Sequence, residues 1–119
     1  MVKNQTNKKR DKNLPVMLLS VARKELFDLS AIDRAEFIAA IDDFEELGPC
    51  SSLVNTEKVQ GDMYEIKRHS QSHWLRGFYF HFHQGIWVIP HIFAKKTNKT
   101  PKANIELGLA RYKALLSTN

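Results

Sequence analysis

The sequence predicts an α+β domain in which an N-terminal helical hairpin packs on a small antiparallel sheet and a C-terminal helix follows. Three patterns indicate this class. Apolar residues recur at three- and four-residue spacing up to Leu47, alternate with period two in the middle of the chain, and return to helical spacing after Pro101. Short links between the middle segments favour an antiparallel meander. The chain has 119 residues, which is enough for one core and one domain.

The helical hairpin is predicted over 16–29 and 31–47. In the first segment the apolar residues fall on one face; they are Leu18, Leu19, Ala22, Leu26, Phe27 and Leu29. Ser30 is a typical N-cap for the second helix, and Gly48-Pro49 is a typical stop signal. The second helix also carries a cluster of aspartates and glutamates. We interpret it as a solvated face rather than a metal site.

Three adjacent strands are predicted over 63–68, 74–83 and 86–95, after a linker with a short extended piece around Leu53-Val54. Gln84-Gly85 suits a tight hairpin turn, because glycine accepts the positive φ that such a turn needs. The third strand is apolar on both faces until its end, which is typical of a central strand. Pro90 removes a backbone donor from it and therefore indicates a bulge or an edge. The last helix is predicted over 102–116.

Alternation of side chains in the second strand separates two faces. Trp74, Arg76 and three phenylalanines point one way, and we expect this face to pack under the helices, with Arg76 at the edge of the core or in a cleft. Tyr79, His81 and His83 point the other way, where they can stack on bases or bond phosphates. For the two histidines, exposed strand positions without a function are the simpler interpretation.

Residues 61–101 combine cations with aromatic rings. No acidic residue follows Glu65 in this segment, which contains six basic residues: Lys67, Arg68, Arg76, Lys95, Lys96 and Lys99. The chain as a whole has a formal charge of +5 at pH 7, which favours a polyanionic partner, and RNA is the partner that we expect. Residues 1–13 are predicted to be a disordered basic tail, with a phosphate-contacting arm as the alternative. The folded domain is then predicted over 14–119.

Other classes of function lack their sequence signals. Cys50 is the only cysteine, and the chain has no acyl-transfer nucleophile motif and no phosphate-binding glycine loop. His81 and His83 have no matched carboxylate or cysteine, so neither zinc nor another cofactor is expected. The absence of a membrane span or a signal peptide favours a cytoplasmic protein. His91, beside the basic end of the third strand, best fits acid–base chemistry.

Four strings occur in the order YEIK, WLRGFYF, HIFAKKTNKTP and IELGLARYK. They resemble the RelE/HigB-like toxins of type II toxin–antitoxin modules, and more narrowly the phage-derived branch; the resemblance covers about residues 15–116. It implies a RelE-like fold with a twisted sheet, and an endoribonuclease that cleaves mRNA, usually in the ribosomal A site, without a metal. It also implies a helix-turn-helix antitoxin as partner.

The resemblance can be carried over residue by residue. Glu65 matches the family glutamate, Arg76 matches the arginine, and five residues match the HxFxKKTxK motif: His91, Phe93, Lys95, Lys96 and Lys99. The resemblance implies that Arg76, with Lys95 or Lys96, binds phosphate and stabilises the charge added when a 2′-hydroxyl attacks phosphorus. It assigns proton transfer to His91 or to a lysine. Glu65 either orients Arg76 or forms a plain cross-strand ion pair.

The remaining RNA contacts are expected from five residues: Lys67, Arg68, Tyr79, Phe93 and Lys99. The chain departs from the family pattern at Lys67, where arginine is usual, at Trp74-Leu75, where a tyrosine is usual, and at Gly108, where alanine is common. The glycine costs a helix about 1 kcal/mol relative to alanine. The alternative function is a non-catalytic RNA- or protein-binding prophage module that keeps the toxin fold.

Overall fold

The computed structural model describes residues 15–83 and 85–118. The elements in chain order are β1 (Val16–Leu18), α1 (Ser20–Asp28), α2 (Ala31–Leu47), β2 (Thr56–Gln60), β3 (Met63–His69), β4 (Trp74–His81), β5 (Trp87–Lys95) and α3 (Lys102–Ser117). The predicted α+β class is confirmed. The basic tail predicted over 1–13 lies outside the described residues. Among the residues that are described, no helix has the length and apolar character needed to cross a bilayer.

The strands form one five-stranded sheet in the order β1-β5-β4-β3-β2. The strands β3 to β5 form the expected antiparallel meander, and β2 extends it by pairing antiparallel with β3. The sheet is nevertheless mixed, because β1 pairs with β5 in parallel. The bulge expected at Pro90 is confirmed by a register shift: Phe78 pairs with His91, whereas Phe80 pairs with Val88. Gly85 has the positive φ expected of the turn before β5, at 77°.

The first predicted helix begins too early, because residues 16–18 form β1. Val16, Met17 and Leu18 are all apolar, so the segment shows no period that distinguishes a strand from a helix, and its partner β5 lies far along the chain. The predicted limits of α2 are confirmed. Ser30 Oγ accepts a hydrogen bond from the Asp33 N–H at 3.2 Å. Gly48 has a φ of 86° and closes the helix by donating its N–H to the Phe44 carbonyl.

The extended piece expected near Leu53-Val54 occurs later, as β2. This strand contains one aliphatic residue, Val59, so its sequence gives almost no alternation of apolar and polar side chains. It is an edge strand, and its register against β3 shifts between Lys58 and Gln60. A polar, irregular edge of this kind limits pairing with other chains.

Helices cover both faces of the sheet, which corrects the predicted arrangement. The phenylalanine face of β4 packs under a helix as expected, and that helix is α3, where the Phe80 ring stacks on Tyr112 at 3.8 Å. The opposite face packs against α1 and α2, so Tyr79 is buried against Phe44 instead of being open to solvent. His81 and His83 are exposed, as expected. Strand alternation predicted the two faces but not which helix covers each.

Gly108 lies where α3 approaches the sheet most closely. A Cβ atom at this position would lie 2.7 Å from Cδ2 of Phe78 and 3.1 Å from Cε of Met63. Contacts this short force the helix or the Phe78 ring to move. Glycine at this position is therefore explained by packing, although it lowers helix propensity.

We expect Gly108→Ala to destabilise the protein by about 1–3 kcal/mol, because overpacking outweighs the propensity gain of about 1 kcal/mol. Urea denaturation measures the change. The control is Ala110→Gly at an exposed position of the same helix, where propensity alone costs about 1 kcal/mol. A Gly108→Ala variant that is more stable than the wild type would contradict the packing explanation.

Candidate functional site

The sheet brings cations from separate strands to one place, beyond the N-terminal end of α3. Lys67 of β3 is directly opposite Arg76 of β4, and Arg76 is opposite Phe93 of β5. In the next row, Trp74 of β4 is opposite Lys95 of β5. Side chains in directly opposite positions have Cβ atoms about 5 Å apart, and diagonal neighbours about 7–8 Å. Lys67, Arg76 and Lys95 therefore share one face of the sheet.

The lysine segment, residues 95–99, is the accessible part of this region. Its three lysines, Lys95, Lys96 and Lys99, are all exposed. The residues that the structure describes supply no ion-pair partner to any of them. Three unneutralised ammonium groups in five residues give this segment a strong local attraction for phosphate.

A cleft of about 360 Å³ lies beside the lysine segment. Residues from β2, β3, the loop before α3 and the first turn of α3 line it: Glu57, Lys58, Val59, Glu65, Lys67, Asn98, Thr100 and Ile105. Both carboxylates in the cleft are engaged. Glu57 pairs with the Lys67 ammonium at 3.0 Å, and Glu65 accepts a hydrogen bond from the Thr100 hydroxyl at 3.0 Å. These partners reduce the repulsion that free carboxylates would exert on a phosphate.

Arg76 lies inside the protein, with 0% of its surface exposed. It donates one hydrogen bond to the Thr100 hydroxyl and another, of 2.8 Å, to the Thr97 carbonyl. Burial lowers the pKa of Arg76 below its usual range, although the negative charge of Glu65 acts in the opposite direction. In this position Arg76 has no surface for a phosphate. The expected direct contact is therefore not present, and Arg76 instead anchors the loop that contains the lysine segment.

Glu65 reaches Arg76 through a hydroxyl group. Thr100 Oγ1 accepts from the Arg76 guanidinium and donates to Glu65, which itself is 4% exposed. This arrangement lies between the two predicted alternatives, because Glu65 holds Arg76 in place through Thr100. Thr100 was not singled out from the sequence, although it belongs to the string KKTNKTP. In the sequence, nothing distinguishes the Thr100 hydroxyl from that of the neighbouring Thr97.

Lys67 is less available than the lysine segment. Its side chain is 10% exposed, its ammonium pairs with Glu57, and it lies 5.5 Å from the centre of the Trp74 ring. Phe93 is also largely buried, 8% exposed, between Phe78 at 5.3 Å and His91 at 4.9 Å. The expectation that Phe93 contacts RNA is not supported by this position, because its ring faces already have partners.

Two further predicted RNA contacts lie on the wrong face of the sheet. Arg68 donates to Glu36 at 3.2 Å and to Asp43 at 3.0 Å, both on α2. Alternation along β3 places Arg68 opposite to Lys67, so it cannot compensate for the arginine that Lys67 replaces. Tyr79 packs in the core beneath α2. Neither residue joins the cleft beside the lysine segment.

His91 is buried under α3 and 4% exposed. Its Nδ1 atom lies 3.0 Å from the Glu25 carboxylate, and its Nε2 atom lies 2.8 Å from Nδ2 of Asn104. Both ring nitrogens therefore have hydrogen-bond partners, and no face of the ring is open to a bound strand. The predicted role of His91 in proton transfer is not supported by this environment. The role that the contacts do support is structural.

Glu25 and Arg111 form hydrogen bonds with backbone groups of β5 that β1 does not reach. Since β1 pairs with β5 only as far as Ile89, the following backbone groups need other partners. Glu25 accepts from the Ile92 N–H at 3.0 Å, Arg111 donates to the Pro90 carbonyl at 3.0 Å, and the Arg111 and Glu25 side chains are 2.9 Å apart. Sequence reasoning missed this network because its members come from α1, β5 and α3.

The contacts of Glu25 predict how the stability of the protein depends on pH. Burial raises the pKa of Glu25, but hydrogen bonds from His91, Ile92 and Arg111 and the charge of His91 together lower it below its ordinary value of 4.5. A folded-state pKa below the unfolded one stabilises the protein above pH 4.5, and this contribution disappears as the pH falls through the folded value.

We therefore expect Glu25→Gln to cost about 1.5–3 kcal/mol at pH 7, the usual value of hydrogen bonds to a charged group. The difference from wild type should shrink below pH 4.5. Urea denaturation at pH 7 and at acidic pH measures both values. Glu106→Gln, at an exposed position of α3, is the control and should change stability by less than about 0.5 kcal/mol. An equal cost of Glu25→Gln at both pH values would contradict the assignment.

Residues 15–83 and 85–118 contain no group of three or more histidine, cysteine, aspartate and glutamate side chains that could hold a metal ion.

A family model described as phage derived protein Gp49-like matches residues 24–113. The match includes the second half of α1, the whole of α2, β2 to β5, the lysine segment and most of α3. No curated protein matches the chain. The matched family is associated with the toxins of toxin–antitoxin modules. Because the match covers about three quarters of its length, the chain belongs to the Gp49-like family of phage-derived proteins.

Proposed function

We propose that this protein is the RelE/HigB-like toxin of a type II toxin–antitoxin module and that it cleaves ribosome-bound mRNA in the cytoplasm without a metal ion. The observation that carries this proposal is the exposed lysine segment beside the polar cleft. The association of the Gp49-like family with toxins supports it as well. A helix-turn-helix antitoxin encoded beside the toxin gene would be the cognate partner.

In this proposal, Lys95, Lys96 and Lys99 hold the RNA backbone and stabilise the charge that develops on the attacked phosphate. The 2′-hydroxyl oxygen forms a bond to the adjacent phosphorus, and the bond from phosphorus to the 5′ oxygen breaks. The products are a 2′,3′-cyclic phosphate and a 5′-hydroxyl. A lysine ammonium donates a proton to the departing oxygen, and water takes the proton from the 2′-hydroxyl. Arg76, Thr100 and Glu65 position the lysine segment.

Positioning and charge stabilisation can provide most of the rate in such a reaction. Holding a 2′-hydroxyl in line with the bond that breaks is worth up to several kcal/mol of the barrier. The burial of His91 and Arg76 is compatible with this proposal, because neither needs to contact the strand.

The same burial favours a second candidate function. Two of the groups expected to carry the chemistry, Arg76 and His91, are withdrawn from the surface, while the lysine segment remains exposed. Exposed lysines without these two groups are sufficient to bind RNA through charge, and cleavage is not required. The alternative is therefore a non-catalytic module that keeps the toxin fold and holds RNA or a regulatory partner.

Cleavage assays separate the two functions. Purified protein is incubated with a defined mRNA, with and without ribosomes, in the presence of EDTA. The toxin proposal expects cleavage with 5′-hydroxyl products, and no cleavage when the nucleotide at the cleaved position carries 2′-deoxyribose. The matched control substrate has 2′-deoxyribose one nucleotide away and should be cleaved normally. Salt-dependent binding without cleavage on or off ribosomes would establish the second function instead.

A further inference from the structure

A second cavity lies on the side of the sheet that faces α2, away from the lysine segment. Its volume is about 350 Å³, at the small end of the range for small-molecule sites. Tyr64, Tyr79 and Trp87 line it from three strands, and Cys50 lines it from the segment that follows α2. The cavity plays no part in the function proposed above.

The aromatic lining suits a flat ligand. The Tyr64 and Tyr79 rings are stacked with their centres 5.6 Å apart, and the Trp87 ring meets Tyr79 edge to face at 5.2 Å. Tyr64 is 36% exposed, so its ring is accessible, whereas Tyr79 is almost completely buried. An accessible ring above an aromatic floor offers a stacking surface for a planar, unsaturated group.

The polar groups specify what that planar group must carry. Nε1 of Trp87 is sealed from solvent and therefore selects no group of a ligand. The Tyr79 hydroxyl interacts with Thr56. The selecting group is therefore a cation. Lys58 lines the cavity, is exposed, and has no ion-pair partner in the part of the chain that the structure describes.

We propose that this cavity binds one nucleotide, with the base stacked on Tyr64 and the phosphate near Lys58. A nucleotide combines the two required properties: a planar ring and an anionic group. The nucleotide can be free or can belong to an RNA strand. An RNA source is sterically simple, because Glu57 and Lys58 of the edge strand line both this cavity and the cleft beside the lysine segment.

The single cysteine provides the assay. Cys50 lines the cavity, is exposed, and is the only cysteine of the chain, so its modification by a thiol reagent is unambiguous. The rate of modification is measured against increasing concentrations of each ribonucleoside 5′-monophosphate and of a short RNA. At a ligand concentration ten times the Kd, we expect the rate to fall about tenfold, because only the unoccupied protein reacts.

Two variants test the contacts. Tyr64→Leu keeps an apolar side chain but removes the ring, and should weaken the binding of nucleotides and nucleosides about tenfold, a typical effect of losing one stacked base. Lys58→Ala removes the cation from an exposed side chain, and should weaken the binding of nucleotides but not that of the corresponding nucleosides. Circular dichroism verifies that each variant is folded.

The two sources give different results, and each supports the site. Protection by mononucleotides that is unchanged in a Lys95→Ala/Lys96→Ala variant identifies a free nucleotide. Protection by the short RNA alone, lost in that variant, identifies a nucleotide of a strand held by the lysine segment. Absence of protection by every nucleotide and RNA at millimolar concentration overturns the proposal. Equal protection by indole, which is planar but has no phosphate, overturns it too. The proposal stands or falls separately from RNA cleavage, because protection does not depend on turnover.

Discussion

Replacing Lys95 and Lys96 together with alanine is expected to abolish the growth arrest that the wild-type protein causes when it is produced without its antitoxin. RNA affinity should fall by more than tenfold at low salt. The dependence of log affinity on log salt should flatten by about 1.4 units, because two fewer ammonium groups displace counterions from a single strand. Fluorescence anisotropy with a labelled RNA at several salt concentrations measures both quantities.

This double substitution isolates binding from folding. Both side chains are exposed, and the described residues offer them no ion-pair partner, so stability should change by less than about 0.5 kcal/mol. The matched control is Lys24→Ala/Lys113→Ala, which removes the same charge from exposed positions on α1 and α3. Lys113 is about 16 Å along the helix from its first residue, Lys102. Growth arrest by a folded Lys95→Ala/Lys96→Ala protein would contradict the proposed role of the lysine segment.

The elements that the sequence predicted well have strong local signals. In α2, one end is specified by the Ser30 cap and the other by Gly48-Pro49. The residues of β4 alternate between two faces, and β5 is an apolar run that follows a glycine turn. The two strands that were missed lack such signals. β1 has only three residues, and its partner is β5, the last strand of the meander. β2 has a single aliphatic side chain. Their pairing is a property of the assembled sheet.

The site was predictable only in part, for a related reason. Alternation along β4 predicted that Arg76 shares the phenylalanine face, and the KKTNKTP string indicated a cluster of lysines, which is exposed. They could not predict that α3 covers His91, or that the loop before α3 covers Arg76. Those features depend on helix packing, and so does the close approach at Gly108. Sequence patterns alone indicate which residues share a face, but they do not indicate how deeply each one lies.

The second large effect is expected at Arg76. Arg76→Met should destabilise the protein by about 3–5 kcal/mol, because it leaves Glu65 buried without the cation that balances it. The Thr97 carbonyl also loses its donor. The double variant Glu65→Gln/Arg76→Met removes both charges and should recover a large part of this loss. Urea denaturation of the two single variants and the double variant measures the coupling.

The control for this series is Arg23→Met, at an exposed position of α1, which should change stability by less than about 0.5 kcal/mol. The cycle distinguishes an anchor from a phosphate ligand. If Arg76 is an anchor, the unfolding free energies show strong coupling between Arg76 and Glu65. RNA affinity then falls only because the lysine segment is held less firmly. A phosphate ligand at the surface produces little change in stability and a direct loss of RNA affinity. A stable Arg76→Met protein that no longer binds RNA would contradict the anchor role. It would support the direct phosphate contact that the family resemblance implied.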